Sequence, residues 1–296
     1  MNGNSTPRVL SIQSHVVSGY VGNKSATFPL QLLGFEVDVI NSVQLSNHTG
    51  YKVFKGQVLN DKDLSSLVEG LAENDLDNYT HLLTGYVGSG SFLKRIAEVV
   101  KSLKLKNPKL TYVCDPVMGD NGKMYVPEEL IEIYKKEIVP LADILTPNHF
   151  EVETLLGKKI NSMEELRQAI KELHSLAPKT IAVSSTDIDD KLTSILSTED
   201  GSKVIKIDVP RIPSLYTGTG DLYAALLLAR SYLDDNIKVA FENTINSLHD
   251  VLLKTYEYST GIKDTNLQRA TKNELRLIQS KRSIENPPKK LLATEF

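Results

Sequence analysis

The feature that most restricts how this chain can fold is a repeated alternation of short, nearly continuous apolar runs with segments of helical spacing. The runs are "RVLSIQSHVV" (8–17), "FEVDVINSVQL" (35–45), "THLLTGYV" (80–87), "LTYVCDPV" (110–117), "ADILTPN" (142–148) and "TIAVSST" (180–186). Several lack the apolar–polar alternation of a half-exposed sheet, as strands do when helices cover both faces of a parallel sheet. Between them, "KSATFPLQLLG" (24–34), "SFLKRIAEVVKSLK" (91–104) and "SMEELRQAIKELHSL" (162–176) have helical spacing, the last with Ser162 and Glu165 placed for a capping box. The pattern predicts a three-layer αβα sandwich with a mostly parallel central sheet. "KLTSILST" (191–198) and "KVIKIDVPRI" (203–212), joined through "EDGS", read as a hairpin adding antiparallel strands at one edge. No linker or repeat divides the chain. Residues 1–296 therefore read as one domain, with 1–7 and the extreme C-terminus, the end of a weakly patterned tail after about residue 262, peripheral.

Composition narrows the function classes. At 41% hydrophobic residues the chain can bury a sizeable core, and a net charge of −3 argues against a general nucleic-acid binder. The single cysteine, Cys114, excludes an internal disulfide framework and a cysteine-based zinc site; inside an apolar strand it reads as an inert buried thiol. The N-terminus lacks the layout of a signal peptide, and no apolar run approaches the roughly 20 residues of a membrane span. A cytoplasmic protein without nucleic-acid or membrane partners is expected.

In open parallel sheets ligands bind beyond the carboxyl ends of the strands. Here those ends carry Ser14, Gly19 and Gly22, then Thr49 and Gly50, then "TGY" (84–86), "CDPVMGD" (114–120), "TPNHFE" (146–151) and "SSTD" (184–187). Small polar residues and carboxylates thus cluster on one rim. "GTGD" (218–221) then opens a helix with Leu222, Ala225, Leu226 and Ala229 on its apolar face. Glycines at 218 and 220 leave backbone N–H groups free beside the helix dipole, which suits a phosphate. Asp221 reads in two ways: as a residue stabilised at a helix start, or as a base that takes the proton of an attacking hydroxyl while Gly218, Thr219 and Gly220 hold the phosphoryl group. Neither a P-loop nor a GxGxxG fingerprint after the first strand is present. Asp115, Asp120 and Glu151 are candidates for cation coordination, directly or through water, against bland readings as a strand-ending Asp-Pro, a turn residue and a first-turn glutamate. His15 and His48 beside the pocket read as packed or surface residues. The segment 275–287 reads as solvated or packing.

Taken in order, "SIQSHVVSGYVGN", "NSVQLSNHTGY", "GQVLN", "LTGY", "YVCDPVMGD", "MYVPEEL", "PLADILTPNHFE" and "GTGDL" resemble the pyridoxal kinase family of the ribokinase-like superfamily, from about residue 8 to about 282. The resemblance implies ATP-dependent phosphorylation of the 5′-hydroxymethyl group of pyridoxal, pyridoxine and pyridoxamine. It implies Mg2+ or Zn2+ with ATP, K+ as activator, and a cytosolic homodimer. Position by position it implies Asp221 as base and Gly218–Gly220 as anion hole, Ser14 and Thr49 at the pyridine ring's polar edge, and Val21, Val43 and Tyr86 as pocket wall. Asp115, Thr146, Asn148, Glu151, Ser184 and Ser185 fall on the nucleotide and cation side, and Arg211, Ile212 and Tyr216 on the adenine and phosphate loop. Three departures stand out: a short segment at 119–127, Ser184 where relatives often carry threonine, and Thr217 in place of an aliphatic residue, where it could touch the substrate. Alternatives are another kinase of the superfamily, acting on a hydroxymethylpyrimidine or a sugar, and a non-catalytic vitamer-binding protein.

Overall fold

A computed structural model of the chain describes residues 6–262 and 268–296. The first half runs β1 (Arg8–Val16), α1 (Asn23–Leu32), β2 (Glu36–Leu45), β3 (Gly56–Val58), α2 (Asp61–Glu73), β4 (His81–Thr84), α3 (Gly90–Lys106) and β5 (Thr111–Cys114). It continues through the ribbon β6 (Gly119–Asp120) and β7 (Lys123–Met124), α4 (Glu129–Ile133), β8 (Ile144–Leu145), α5 (His149–Leu156) and α6 (Met163–His174). The remainder is β9 (Thr180–Ile188), β10 (Lys191–Thr198), β11 (Lys203–Asp208), α7 (Thr219–Leu233), α8 (Ile237–Gly261), α9 (Arg269–Lys272), α10 (Lys281–Glu285) and β12 (Thr294–Glu295).

Among the described residues the main sheet has the order β12-β11-β10-β9-β8-β5-β4-β1-β2-β3. The six strands from β9 to β2 are parallel, and antiparallel strands flank them on both sides. β1 is central: Val9 pairs with Val37 on one side and His81 on the other. The chain moves outward from β1 to β2 in one direction and from β4 through β9 in the other. A crevice at the carboxyl ends between β1 and β4 follows from that reversal. Two apolar layers cover the sheet. Phe92, Leu93 and Ile96 of α3 and Leu166, Ala169 and Ile170 of α6 lie on one face, and Ala26 and Leu30 of α1, Tyr223 and Leu227 of α7 and Phe241 of α8 on the other.

The architecture is the expected sandwich; several local expectations are corrected. The runs 80–87, 110–117 and 142–148 pair only at 81–84, 111–114 and 144–145, because each strand ends where its chain turns into the rim loops. The run 203–212 ends at Asp208, so Arg211 and Ile212 stand in the loop toward α7. Ser162 caps α6, accepting from the Glu165 amide at 3.2 Å, but Glu165 bonds back to the Asn161 amide instead of completing a capping box. Helix α7 is buried on every side from Leu222 to Arg230, not on one stripe, because it is walled by the sheet, α1 and α8. Antiparallel strands occur at both edges, since β3 pairs with β2. In the C-terminal segment, edge strand β12 pairs with β11, and Leu275, Leu277 and Ile284 are buried against Leu222 and Leu226 of α7. Part of the expected tail, residues 263–267, lies outside the described residues, as do residues 1–5 of the expected N-terminal periphery.

Candidate active site

Two loops meet backbone to backbone at the start of α7. Gly218 takes a left-handed conformation (φ 86°), and a Cβ there would lie 2.2 Å from the Tyr20 carbonyl oxygen. Gly22 has φ 54°, and its Cβ would fall 2.0 Å from the Ser14 carbonyl oxygen. Only glycine meets both demands, which fixes the β1–α1 loop against the "GTGD" turn. Ser25 Oγ donates to the Gly218 carbonyl at 3.2 Å, and the Gly22 amide donates to Asp221 Oδ2 at 2.7 Å. No side chain caps α7, so the amides of its first turn remain available to a ligand. Burial pushes the Asp221 carboxyl above its ordinary value, and the Gly22 amide only partly offsets this.

Asp115, just past β5, is buried and faces the same turn: a Cβ on Gly220 would stand 3.5 Å from its Oδ2. Its carboxyl is held well above the carboxylate range by burial, then by the charges of Glu151 and Asp221, against a hydrogen bond from Thr146. Glu151 is buried in the first turn of α5, and burial pushes it up to about 8 although the Asn148, Met118 and Gly119 amides all donate to it. The Asn148 and Met118 bonds are 2.8 and 3.0 Å, and Asn148 Oδ1 accepts from the Glu151 amide at 2.9 Å, completing a capping box on α5. Asn148 Nδ2 also donates to the Gly119 carbonyl at 2.8 Å, tying α5 to the β6–β7 ribbon. That ribbon turns through Asn121 (φ 50°) and Gly122 (φ 76°), the positive pair of a type I′ turn. The Asn-Gly signal was present in the sequence but unread.

Asp115, Glu151 and Asp221 thus form a carboxylate group whose surroundings are amides, a hydroxyl and one another. Such a site favours a cation or a protonated state. Among the described residues no three His, Cys, Asp or Glu side chains converge closely enough to ligate one metal ion directly.

Residues 39–266 match the family model described as phosphomethylpyrimidine kinase. Over 98% of its length the chain is 52% identical to a pyridoxal kinase from Arabidopsis thaliana, covering 95% of that protein. It is 48% identical to one from Homo sapiens, covering 95% of this chain and 96% of that one. The chain belongs to the pyridoxal kinase family. A family member from Leishmania donovani, solved in complex with ADP and pyridoxamine, superposes with a TM-score of 0.90 at 36% identity, covering 98% of this chain and 99% of that one.

The other sequence-derived candidates are spread over several strand-end loops. Val21 and Val43 are buried at the ends of the β1–α1 loop and β2, and Tyr86 is half-buried beside them, its carbonyl accepting from Ser42 Oγ at 2.8 Å. Ser14 lies under Gly22, while Thr49 and Thr217 are exposed across the mouth, with the Cβ position of Gly50 4.0 Å from Thr217 Oγ1. On the other side Thr146 sits against the Cys114 carbonyl, and Ser184 bonds to Pro147 through its amide at 2.9 Å, with Ser185 half-buried next to it. Arg211 is drawn outward into an ion pair with Asp187, and Ile212 and half-buried Tyr216 line the strand-to-helix loop. Asp120 sits exposed on the ribbon, bonded to Asn121, so its turn reading holds locally. The sequence carries no sign of the hold of Gly22 on Asp221 or of what His48 packs against, although the burial of His48 agrees with the packed reading. Neither has a local signature: both arise from loops meeting across the crevice. Among the described residues no helix is long and apolar enough to cross a membrane.

Proposed function

We propose that the chain, acting as one kinase domain over 1–296, transfers the γ-phosphoryl group of ATP to the 5′-hydroxymethyl oxygen of pyridoxal, pyridoxine and pyridoxamine. The observation that carries this is the Asp221 carboxylate, set at the uncapped start of α7 and accepting from the Gly22 amide, with Val21 next to Gly22 in the same loop. Burial raises its pKa, which makes the carboxylate a stronger proton acceptor. Asp221 takes the hydroxyl proton as the alcohol oxygen bonds to phosphorus. The bond from the γ-phosphorus to the bridging oxygen breaks, its electron pair leaves with ADP, and the pyridoxal 5′-phosphate-type ester remains. The amides of Gly218, Thr219 and Gly220 hold the phosphoryl oxygens as charge spreads over them. Ser14 and Thr49 hold the polar edge of the pyridine ring, and Thr217 touches its substituent.

On the nucleotide side we assign Asp115, Asn148, Glu151, Ser184, Ser185, Arg211, Ile212 and Tyr216 to ATP. The carboxylates of Asp115 and Glu151 fit a divalent cation, magnesium or zinc, brought in with the nucleotide, and Thr146, Ser184 and Asp120 complete its surroundings through water. That cation supplies charge neutralisation of the polyphosphate. Potassium activation, a homodimer and a cytoplasmic location extend the family resemblance. Ion replacement in the assay, sedimentation and fractionation would check them in turn.

The test is turnover of the three vitamers against ribose, adenosine and hydroxymethylpyrimidine, by wild type and Asp221→Asn. Preference for pyridoxal with collapse of turnover in the variant is expected. Preference for another acceptor, or an equally active variant, overturns the assignment.

A further inference from the structure

Outside the groups already assigned, a further, partly buried carboxylate ties the mouth of the crevice together. Glu274, in the segment after α9, accepts from the Tyr20 amide at 3.0 Å and from the Tyr51 hydroxyl at 2.9 Å. His48 Nε2 lies 3.3 Å from the same Oε1. Because His48 Nδ1 accepts from the Gly50 amide at 3.1 Å, its proton resides on Nε2 and points at Glu274. The approach is close on every side. A Cβ on Gly19 would stand 2.4 Å from the Glu274 carboxylate, and one on Gly50 2.7 Å from the His48 ring. The neighbouring Asn273 donates to Ser214 Oγ at 2.9 Å and to the Leu215 carbonyl at 2.8 Å, gripping the loop that leads into "GTGD". Both residues are anchored from behind by buried Leu275 and Leu277 and by the Arg276 amide on Thr255 Oγ1 at 3.0 Å.

These bonds reach three of the loops read above as part of the acceptor pocket, though not the one that carries Tyr86. Tyr20 precedes Val21 and Gly22, whose amide aims Asp221; His48, Gly50 and Tyr51 bracket Thr49; Leu215 leads to Thr217. We propose that Glu274 is a positioning residue of the acceptor pocket: it holds the 18–22 and 48–51 loops in the relation that lets Gly22 aim the base and Thr49 meet the ring. Burial alone would raise its carboxyl, but His48, the Tyr20 amide and Tyr51 bring it below the usual glutamate value, as three well-placed donors should. A role confined to stability would not single out one substrate. Positioning should, because the Glu274 carboxylate bonds the 18–22 and 48–51 loops, whereas the groups assigned to ATP lie at the end of β5, on α5 and β9 and in the 211–220 segment.

This inference rests on the acceptor reading above, so its test needs a readout that does not. Amide hydrogen exchange on the ligand-free protein compares wild type with Glu274→Gln, which keeps shape but cannot accept at both oxygens. Exchange at Tyr20 and Gly50 should quicken by about tenfold or more while β1, β4 and β5 stay protected. In steady state, KM for pyridoxal should rise about tenfold and KM for ATP change less than about twofold. Unchanged exchange overturns the proposal, as does a parallel rise of both KM values. If the Gln variant fails to fold, Tyr51→Phe removes a single donor and should give about a threefold change in the same two readouts; no change in either overturns it. Failure of the acceptor reading shows separately, as wild-type protein that ignores pyridoxal while the exchange result still stands.

Discussion

The starts of α5 and α7 place an acidic side chain in the same position relative to the dipole and use it in opposite ways. Glu151 serves its own helix: it closes a capping box with Asn148 and takes further amides from the β6–β7 segment. Asp221 caps nothing in its own helix and takes one amide, from Gly22, 199 residues away in sequence. A cap is worth about 1 kcal/mol to the fold, which accounts for a glutamate and an asparagine at α5. At α7 the fold forgoes that gain and leaves the first-turn amides open. A helix start left uncapped, with its carboxylate held by another loop, keeps its amides free for the ligand proposed above.

The largest expected effect breaks the α7 side. Asp221→Asn should cut kcat by about 10²–10⁴-fold while nucleotide affinity, measured by titration calorimetry, stays within a few-fold and Tm does not fall. A variant that loses Tm in place of turnover would make Asp221 a second Glu151. Next is Gly218→Ala: with φ 86° and the Tyr20 carbonyl in the way, the turn must open. A stability loss of about 1–3 kcal/mol and at least about tenfold lower kcat/KM are expected, read by denaturant titration and assay.

A pH experiment sharpens the comparison on the α5 side. The Glu151 carboxyl, at about 8 when folded, lies above its unfolded value of roughly 4.3. Between those limits the folded state binds more protons than the unfolded one, so stability falls as pH rises. Cation-free protein should lose Tm from about pH 5 to 8, and Glu151→Gln should flatten that slope even if it lowers Tm overall. An equal slope in the variant would remove Glu151 as its source. Smallest is Asn148→Ala, expected to cost about 1 kcal/mol with only a few-fold loss of activity. A loss as deep as that of Asp221→Asn would erase the distinction between the two helix starts.

What could be read in advance follows the range of the interactions. Apolar periodicity reports burial, so the parallel strands, the sandwich and the rim of small polar residues were legible. The "GTGD" turn was legible as a glycine-flanked helix start because glycine spacing and helix onset are local. The partner of Asp221 was not, because the Gly22 amide lies 199 residues away, and the contacts of Glu274 were hidden in a segment that resembles a tail. Strands β3 and β12 are too short to carry a pattern of their own. They pair because a finished sheet offers them an edge.

Cys114 occupies the last position of β5, one peptide bond before Asp115, fully enclosed and with its thiol pushed up to about 12 by burial. Being the chain's sole sulfhydryl, it is a built-in reporter: an alkylating reagent can reach it only when the structure around the end of β5 opens. The labelling rate therefore clocks that opening directly. Because the native thiol stays silent otherwise, a cysteine introduced at the crevice mouth would carry a probe without background.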